Sequence, residues 1–336
     1  MVTLASNVLT LADWAKRLDP DGKVPLIAEL LAQTNEVLTE MLWIEANGPT
    51  GHRTTVRTGL PESTWRLLNQ GVQPSKSTTA QIDEGIGMLE SWSEVDRDLA
   101  ELNGNVSSFR LSEATAFIEA MSQELAQTIF FGNSSIDPEE FTGLSPRYSS
   151  LNPAIDISQN VLDGAGVGSD NSSIWLVVWG QNTICGIFPK GSTAGLMHED
   201  MGLQTIQGAL GIAGSRLRAY QDRWQWKAGI AVKDWRYAVR IANIDISLLI
   251  ANATPAPLIN LMIQAVHRIP NMSIGRPSFY MNRTVFEFLD IQRRDGVISG
   301  GGLTFDVVDG KMQPSFRGIP IRKVDALIET EAAVTA

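Results

Sequence analysis

Cysteine is nearly absent from these 336 residues: Cys185 stands alone and has no partner for an internal disulfide. Histidine is almost as sparse. His52, His198 and His267 lie far apart, in no H-E-x-x-H or Cys/His spacing, so no zinc site is expected. Basic residues are outnumbered, 27 Lys and Arg against 37 Asp and Glu for a net charge of −10. Gripping a phosphate backbone by counterion release needs clustered Lys and Arg, so direct DNA readout is disfavoured. No run approaches the roughly 20 apolar residues of a membrane helix. The amino terminus shows no basic n-region, long apolar stretch or cleavage site, so synthesis in the cytoplasm is expected. The six Asn-x-Ser/Thr matches then carry no glycosylation meaning. A serine-nucleophile elbow is missing too, because Gly214-Ser215 lacks the second glycine. Gly164 to Gly168 and Gly300 to Gly302 resemble phosphate loops only in glycine content; no Gly-Lys-Ser/Thr follows, and both are read as loops, the first a mobile one. The expectation is a protein without catalytic residues, cofactor or metal.

What is present is a packing chain, 43% hydrophobic and 19% charged. Leu11, Trp14, Ala15 and Leu18 share a helical face, and a longer helix is expected from Pro25 to the Gly48-Pro49 stop. Residues 51 to 82 differ. Arg53 to Thr58 and Ser77 to Ile82 have strand composition but no apolar face, and an isolated two-stranded ribbon is marginal in water, so its support must come from elsewhere, this domain or another subunit. Between them sits one large apolar cluster, Trp65, Leu67 and Leu68. From Ser112 to Phe131 a stripe of Ala114, Phe117, Ile118, Met121, Leu125 and Ile129 predicts a long spine helix ending at Gly132. Strands are expected at Ile174 to Trp179 and Ile184 to Phe188. Strict alternation in Trp224 to Val232 and Trp235 to Ile241 predicts a hairpin turning at Lys233-Asp234, with Arg236 and Arg240 on a solvated or interface face. Further on, helices at Leu258 to Ile269 and Arg283 to Arg294, and strands near Ser278, Thr304 and Ile319, complete an α+β pattern.

Nine tryptophans against four tyrosines suggest apolar anchors. Alternation places Trp224, Trp226 and Trp235 in the core, whereas Trp65, stranded in a polar loop, reads as an interface anchor. Cys185 reads as a buried hydrophobe, His267 as a packed helix histidine, and Glu94 to Asp98 as a solvated charge run. His198-Glu199-Asp200 reads as a solvated loop. A rival reading assembles a dispersed α/β metal-dependent enzyme site from His198, Glu199 and Asp222.

Several longer strings are familiar: Gly51 to Gly59, Trp65 to Val72, Phe109 to Glu113, Phe130 to Asn133, Ile174 to Gly180, Phe188 to Ser192, Asp234 to Asn243 and the Gly318-Ile319-Pro320 phrase. In this order they resemble the gp7-like coat proteins, a family of tailed-bacteriophage major capsid proteins with the Hong Kong 97-type fold. The resemblance covers about residues 45 to 325, with Gly208 to Ser215 more apolar and glycine-rich than the family pattern. It implies an N-terminal arm (1–50), an extended loop (51–92), a peripheral domain (93–250) with the spine helix at 112–131, an axial domain (251–318) and a return strand with the C-terminal tail (319–336). It also implies a shell of hexamers and pentamers around double-stranded DNA, located in the virion, with a portal protein and scaffolding or decoration proteins as partners, and no membrane. Arg53, Arg57 and Arg66 are then expected to pair across subunits with Glu113, Glu119 or Glu124, and Trp65, Leu67 and Leu68 to anchor the contact. An encapsulin-like compartment shell is the closer alternative.

Overall fold

The computed structural model describes residues 9, 32–102, 106–208, 215–251, 255–295, 303–308 and 311–336. The first predicted arm helix, the start of the second, the Gly300 to Gly302 loop and most of Gly208 to Ser215 lie outside the described residues. Where the helix expected to run to Gly48-Pro49 is described, it is a single turn at Val37–Glu40 followed by a strand at Trp43–Glu45, because that strand pairs with a distant partner. In chain order the elements are α1 (Val37–Glu40), β1 (Trp43–Glu45), β2 (Gly51–Gly59), β3 (Thr78–Gly85), β4 (Gly87–Asp96), α2 (Arg97–Glu101), α3 (Val106–Phe131), β5 (Val161–Asp163), β6 (Asn171–Trp179) and β7 (Ile184–Phe188). They continue with β8 (Leu196–Gln207), β9 (Arg216–Val232), β10 (Ala238–Asp245), α4 (Ile246–Ala251), α5 (Leu258–Arg268), β11 (Arg276–Met281), α6 (Arg283–Asp295), β12 (Leu303–Val308), β13 (Lys311–Phe316) and β14 (Ile319–Lys323). The chain divides into two compact units.

The larger unit comprises residues 34–87, 126–194 and 228–336. Its centre is β6, buried along its whole length between antiparallel neighbours β10 and β11. β14 joins β11 in parallel, and β13 and β12 extend that side. A strand buried on both faces reads as a continuous apolar run, which is what Ile174 to Trp179 shows. One face, Ile174, Leu176 and Val178, packs in the main core with Leu258, Leu261, Met262 and Ala265 of α5 and Val285 and Leu289 of α6. The other face carries Trp175 and Trp179, ringed by Phe130, Tyr148 and Tyr280 at centroid distances of 5.7 to 6.3 Å. β7 pairs with β1 and with the end of β9. Cys185 is buried there, and burial pushes its thiol up to about 11, which leaves it an inert hydrophobe.

The smaller unit comprises residues 88–125 and 195–227 together with the first 33. Its sheet runs in the order β8, β9, β4. Tyr220, Asp222 and Trp224 of β9 face α3: Arg110 lies over the Tyr220 ring, and Phe117 stacks on Trp224 at 5.3 Å. The spine helix is six residues longer at its start than the apolar stripe indicates. It ends where Gly132 forces the issue, since a Cβ there would meet the carbonyl oxygens of Phe141 and Thr128 at 2.6 and 2.7 Å.

The predicted hairpin at Lys233-Asp234 does not form. β9 pairs with β7 and β8, whereas β10 pairs with β6 and β5, and a 3-10 turn at Trp235–Tyr237 separates them. Alternation reports which side chains are buried, not which strand lies alongside. Arg240 accordingly sits inside the larger unit rather than on a solvated face, while Arg236 is exposed and bonded to Asp234. His198 to Asp200 lie in strand β8 rather than in a loop, and Glu94 to Asp96 belong to β4. The Gly164 to Gly168 loop is pinned along β10, with the Gly164 and Gly166 N–H groups donating to the carbonyls of Ala242 and Asn243. A Cβ at either glycine would collide with the Asn243 carbonyl.

Candidate functional site

β2 and β3 form a two-stranded antiparallel sheet of their own, hydrogen-bonded to no other strand among the described residues. The register runs from Gly51 opposite Gly85 to Gly59 opposite Thr78, with a bulge at Thr58. One face of the ribbon, Arg53, Thr55, Arg57, Thr79, Gln81 and Asp83, is polar and exposed. The other carries Val56, Ala80 and Ile82 beside Thr54, with Thr54, Val56 and Ile82 half-buried, which corrects the expectation of a ribbon without an apolar face. Arg53 donates to both carboxylate oxygens of Asp83, at 2.6 and 2.7 Å, across the strands. That contact holds the Asp83 carboxyl below the usual range, first through the hydrogen bond from Arg53.

Residues 60 to 77 close the ribbon and are exposed throughout. Ser75 Oγ donates to the Glu62 carbonyl and ties the two arms of the loop, and Asn69 takes a left-handed conformation in the turn behind Leu67 and Leu68. Trp65 is fully exposed at 103% relative accessibility, with Leu60 at 80% and Leu68 at 88%. Scattered apolar residues on a surface are ordinary, but a cluster of this size containing a bare indole is not. Neither Arg57 nor Arg66 makes an ion pair among the described residues, and both are exposed.

The predicted acidic partners lie on α3 in different settings. Glu113 is buried, Glu119 accepts from the Gln33 backbone and the Gln123 amide, and Glu124 is exposed. Arg53 is already committed to Asp83, so Arg57, Arg66 and Lys76 are the exposed cations of residues 51–85 without an ion pair among the described residues.

The rival site does not assemble. His198 Nε2 lies 2.9 Å from Asp222 Oδ1, but Asp222 is also held by two Arg110 nitrogens, and Arg110 bridges on to Asp200. Glu199 points to the other side of the strand and meets Arg223. Among the described residues no group of three or more His, Cys, Asp or Glu is placed to hold a metal ion. The His198 ring stacks on Trp224, which continues the Phe117 stack and makes this a packing cluster. Sequence reading missed two residues at the ribbon root, Glu84 and Arg147. They join into an ion pair across 63 positions, with no local pattern to announce them.

The ribbon thus ends in an exposed apolar tip and is carried on a β6-centred body. The model of the family described as major capsid protein GP7 matches residues 19–335. The chain belongs to that family. It is a bacteriophage major capsid protein, a subunit of an icosahedral capsid, with the Hong Kong 97-type fold. A chain in the solved structure of bacteriophage Epsilon15 is 32% identical, with a TM-score of 0.80 and 100% of both chains covered. The capsid of bacteriophage JBD30 is 9% identical, with a TM-score of 0.47 over 89% of this chain and 92% of that one. An SrpI encapsulin complex from Synechococcus elongatus is 11% identical at 0.42, over 70% and 97%. Neither of these two distant likenesses bears on function. No curated protein sequence matches the chain.

Proposed function

We infer that this capsid subunit tiles its shell as hexamers and pentamers around a double-stranded DNA genome, and that the ribbon of residues 51–85 is the part that overlaps a neighbouring copy. The observation that carries this is the fully exposed Trp65, flanked by Leu67 and Leu68, at the tip of a two-stranded sheet that pairs with no other strand among the described residues. Trp and Arg in such a setting are the residues that dominate interface energetics once desolvated. Arg57 and Arg66 then meet acids of the second copy, Glu119 and Glu124 of its α3 among them. Exposed pairs of this kind add about 0–1 kcal/mol each, so the apolar anchors dominate.

The wider assignment follows the family: an N-terminal arm at 1–50, an extended loop at 51–92, a peripheral domain at 93–250 and an axial domain at 251–318. The role is structural, without catalysis. Assembly takes place in the bacterial cytoplasm, with a portal protein at one vertex and scaffolding or decoration proteins as accessory partners. The net charge of −10 supports an inner wall that encloses DNA without gripping it. Deleting Pro61 to Lys76 tests the reading: the expected product is soluble, folded by circular dichroism and unable to form shells. Normal particles by electron microscopy would overturn it.

A further inference from the structure

The ribbon pairs with no third strand among the described residues, so its direction is set where it leaves the body. Three contacts meet there. The Ile86 N–H donates to the Thr50 carbonyl, and the Asn47 side chain bonds both the N–H and the C=O of Arg53. Next to the end of β3 stands Glu84, only 5% exposed. Its two oxygens accept from Arg147 Nη1 and Nη2 at 2.7 and 2.6 Å, and one of them also accepts from the Val232 N–H at 3.4 Å.

Arg147 is itself held. Its Nε donates to the Gly143 carbonyl, and Nη2 donates to the Thr142 carbonyl, each at 3.0 Å. The guanidinium is therefore a fixed fork rather than a free charge, presented by the turn at Leu144 to Tyr148. The backbone at the end of β3 is approached too closely for a side chain at two glycines. A Cβ on Gly51 would sit 2.7 Å from the Glu84 carbonyl oxygen, and one on Gly229 would sit 2.6 Å from the Gly85 carbonyl oxygen.

A buried ion pair is a poor stabiliser, because desolvation offsets most of the attraction; what a bidentate pair supplies is direction. Direction matters at this spot. At about 3.4 Å per residue the nine residues of β2 make a lever of roughly 30 Å, so a swing of about 10° at the root displaces the tip by about 5 Å. That exceeds the tolerance of a packed aromatic anchor.

We propose that Glu84 and Arg147 form the elbow that aims the ribbon, and that they act as positioning residues for shell assembly. The proposal rests on the reading of the ribbon as the overlapping part. Arg147→Lys keeps the charge and removes the fork. Spin labels at Thr55→Cys on the ribbon and Gln159→Cys on the body report the angle in unassembled full-length protein, since the native Cys185 is buried.

The parent protein is expected to give a narrow distance distribution and uniform particles. The lysine variant, folded, is expected to give a broadened distribution and to lose uniform particle diameter by electron microscopy. An unchanged distribution overturns the proposal, and so does a broadened one accompanied by normal shells. If the lysine variant does not fold, Glu84→Gln is measured in the same way; failure of both to fold assigns the pair to the body's stability and also overturns it. The deletion of Pro61 to Lys76 separates the two claims: normal shells from it reject the ribbon reading itself, whereas failed shells from it with normal ones from Arg147→Lys reject only the elbow.

Discussion

Arg240 and Glu331 meet inside the larger unit, Nη2 to Oε2 at 2.7 Å, with side-chain accessibilities of 4% and 5%. Arg240 also donates to the Ser173 hydroxyl and the Tyr148 carbonyl and lies over the Trp175 ring, and Ser173 in turn donates to Glu331. The segment around residue 331 is thereby pinned to β6 and β10. Glu331→Ala leaves a buried cation without its counter-charge, so a loss of about 3–5 kcal/mol is expected in urea unfolding. With Arg240→Met as the second single variant, the loss in the double variant Arg240→Met, Glu331→Ala is expected to fall short of the sum of the two single losses by at least about 1 kcal/mol, which a double-mutant cycle measures.

Trp65→Ala separates assembly from folding. The side chain touches water on all sides in the isolated subunit, so unfolding free energy is expected to stay within about 0.5 kcal/mol of the parent. Shell formation is expected to need on the order of 30-fold more subunit, the equivalent of a 2 kcal/mol hot spot, as read by light scattering against concentration. Equal losses in stability and assembly would place the indole in a core.

Acid is expected to loosen the smaller unit through Glu90. Hydrogen bonds from Arg223, then Trp92 and Gln225, lower its carboxyl from 4.5 to about 2. A carboxyl depressed in the folded state contributes stability that is present above its unfolded value and lost as pH falls toward the folded one. The expected loss therefore runs from about pH 4.5 down to about pH 2. Asp200, lowered chiefly by Arg110, adds to the same trend. Thermal scans across that window check it: Glu90→Gln is expected to flatten the decline, and an unaltered slope would remove Glu90 as its source.

Much of the body was legible because burial writes itself into periodicity. The run Ile174 to Trp179 and the α5 stripe match patterns of period one and 3.6 without a competing reading. β8 was missed because its residues face solvent for most of their length, so no apolar alternation marks them. The false hairpin has the opposite cause. β9 and β10 both alternate, and pairing partners that are distant in sequence leave no trace in either strand. The same holds for the anchors of the ribbon: Trp65 is conspicuous by its surroundings, but Glu84 and Arg147 become a pair only once the chain between them has folded.

The ribbon also separates two kinds of constraint along one polypeptide. Substitutions at Thr55, Arg57, Thr79 or Gln81 disturb nothing that the solitary molecule needs, because those side chains already lie in water. Changes at Trp175 or Arg240 are felt before any second copy arrives. Variation in lattice size or in tolerance of neighbours can thus accumulate in one stretch of about thirty-five codons while the rest of the gene is held to the demands of a stable body.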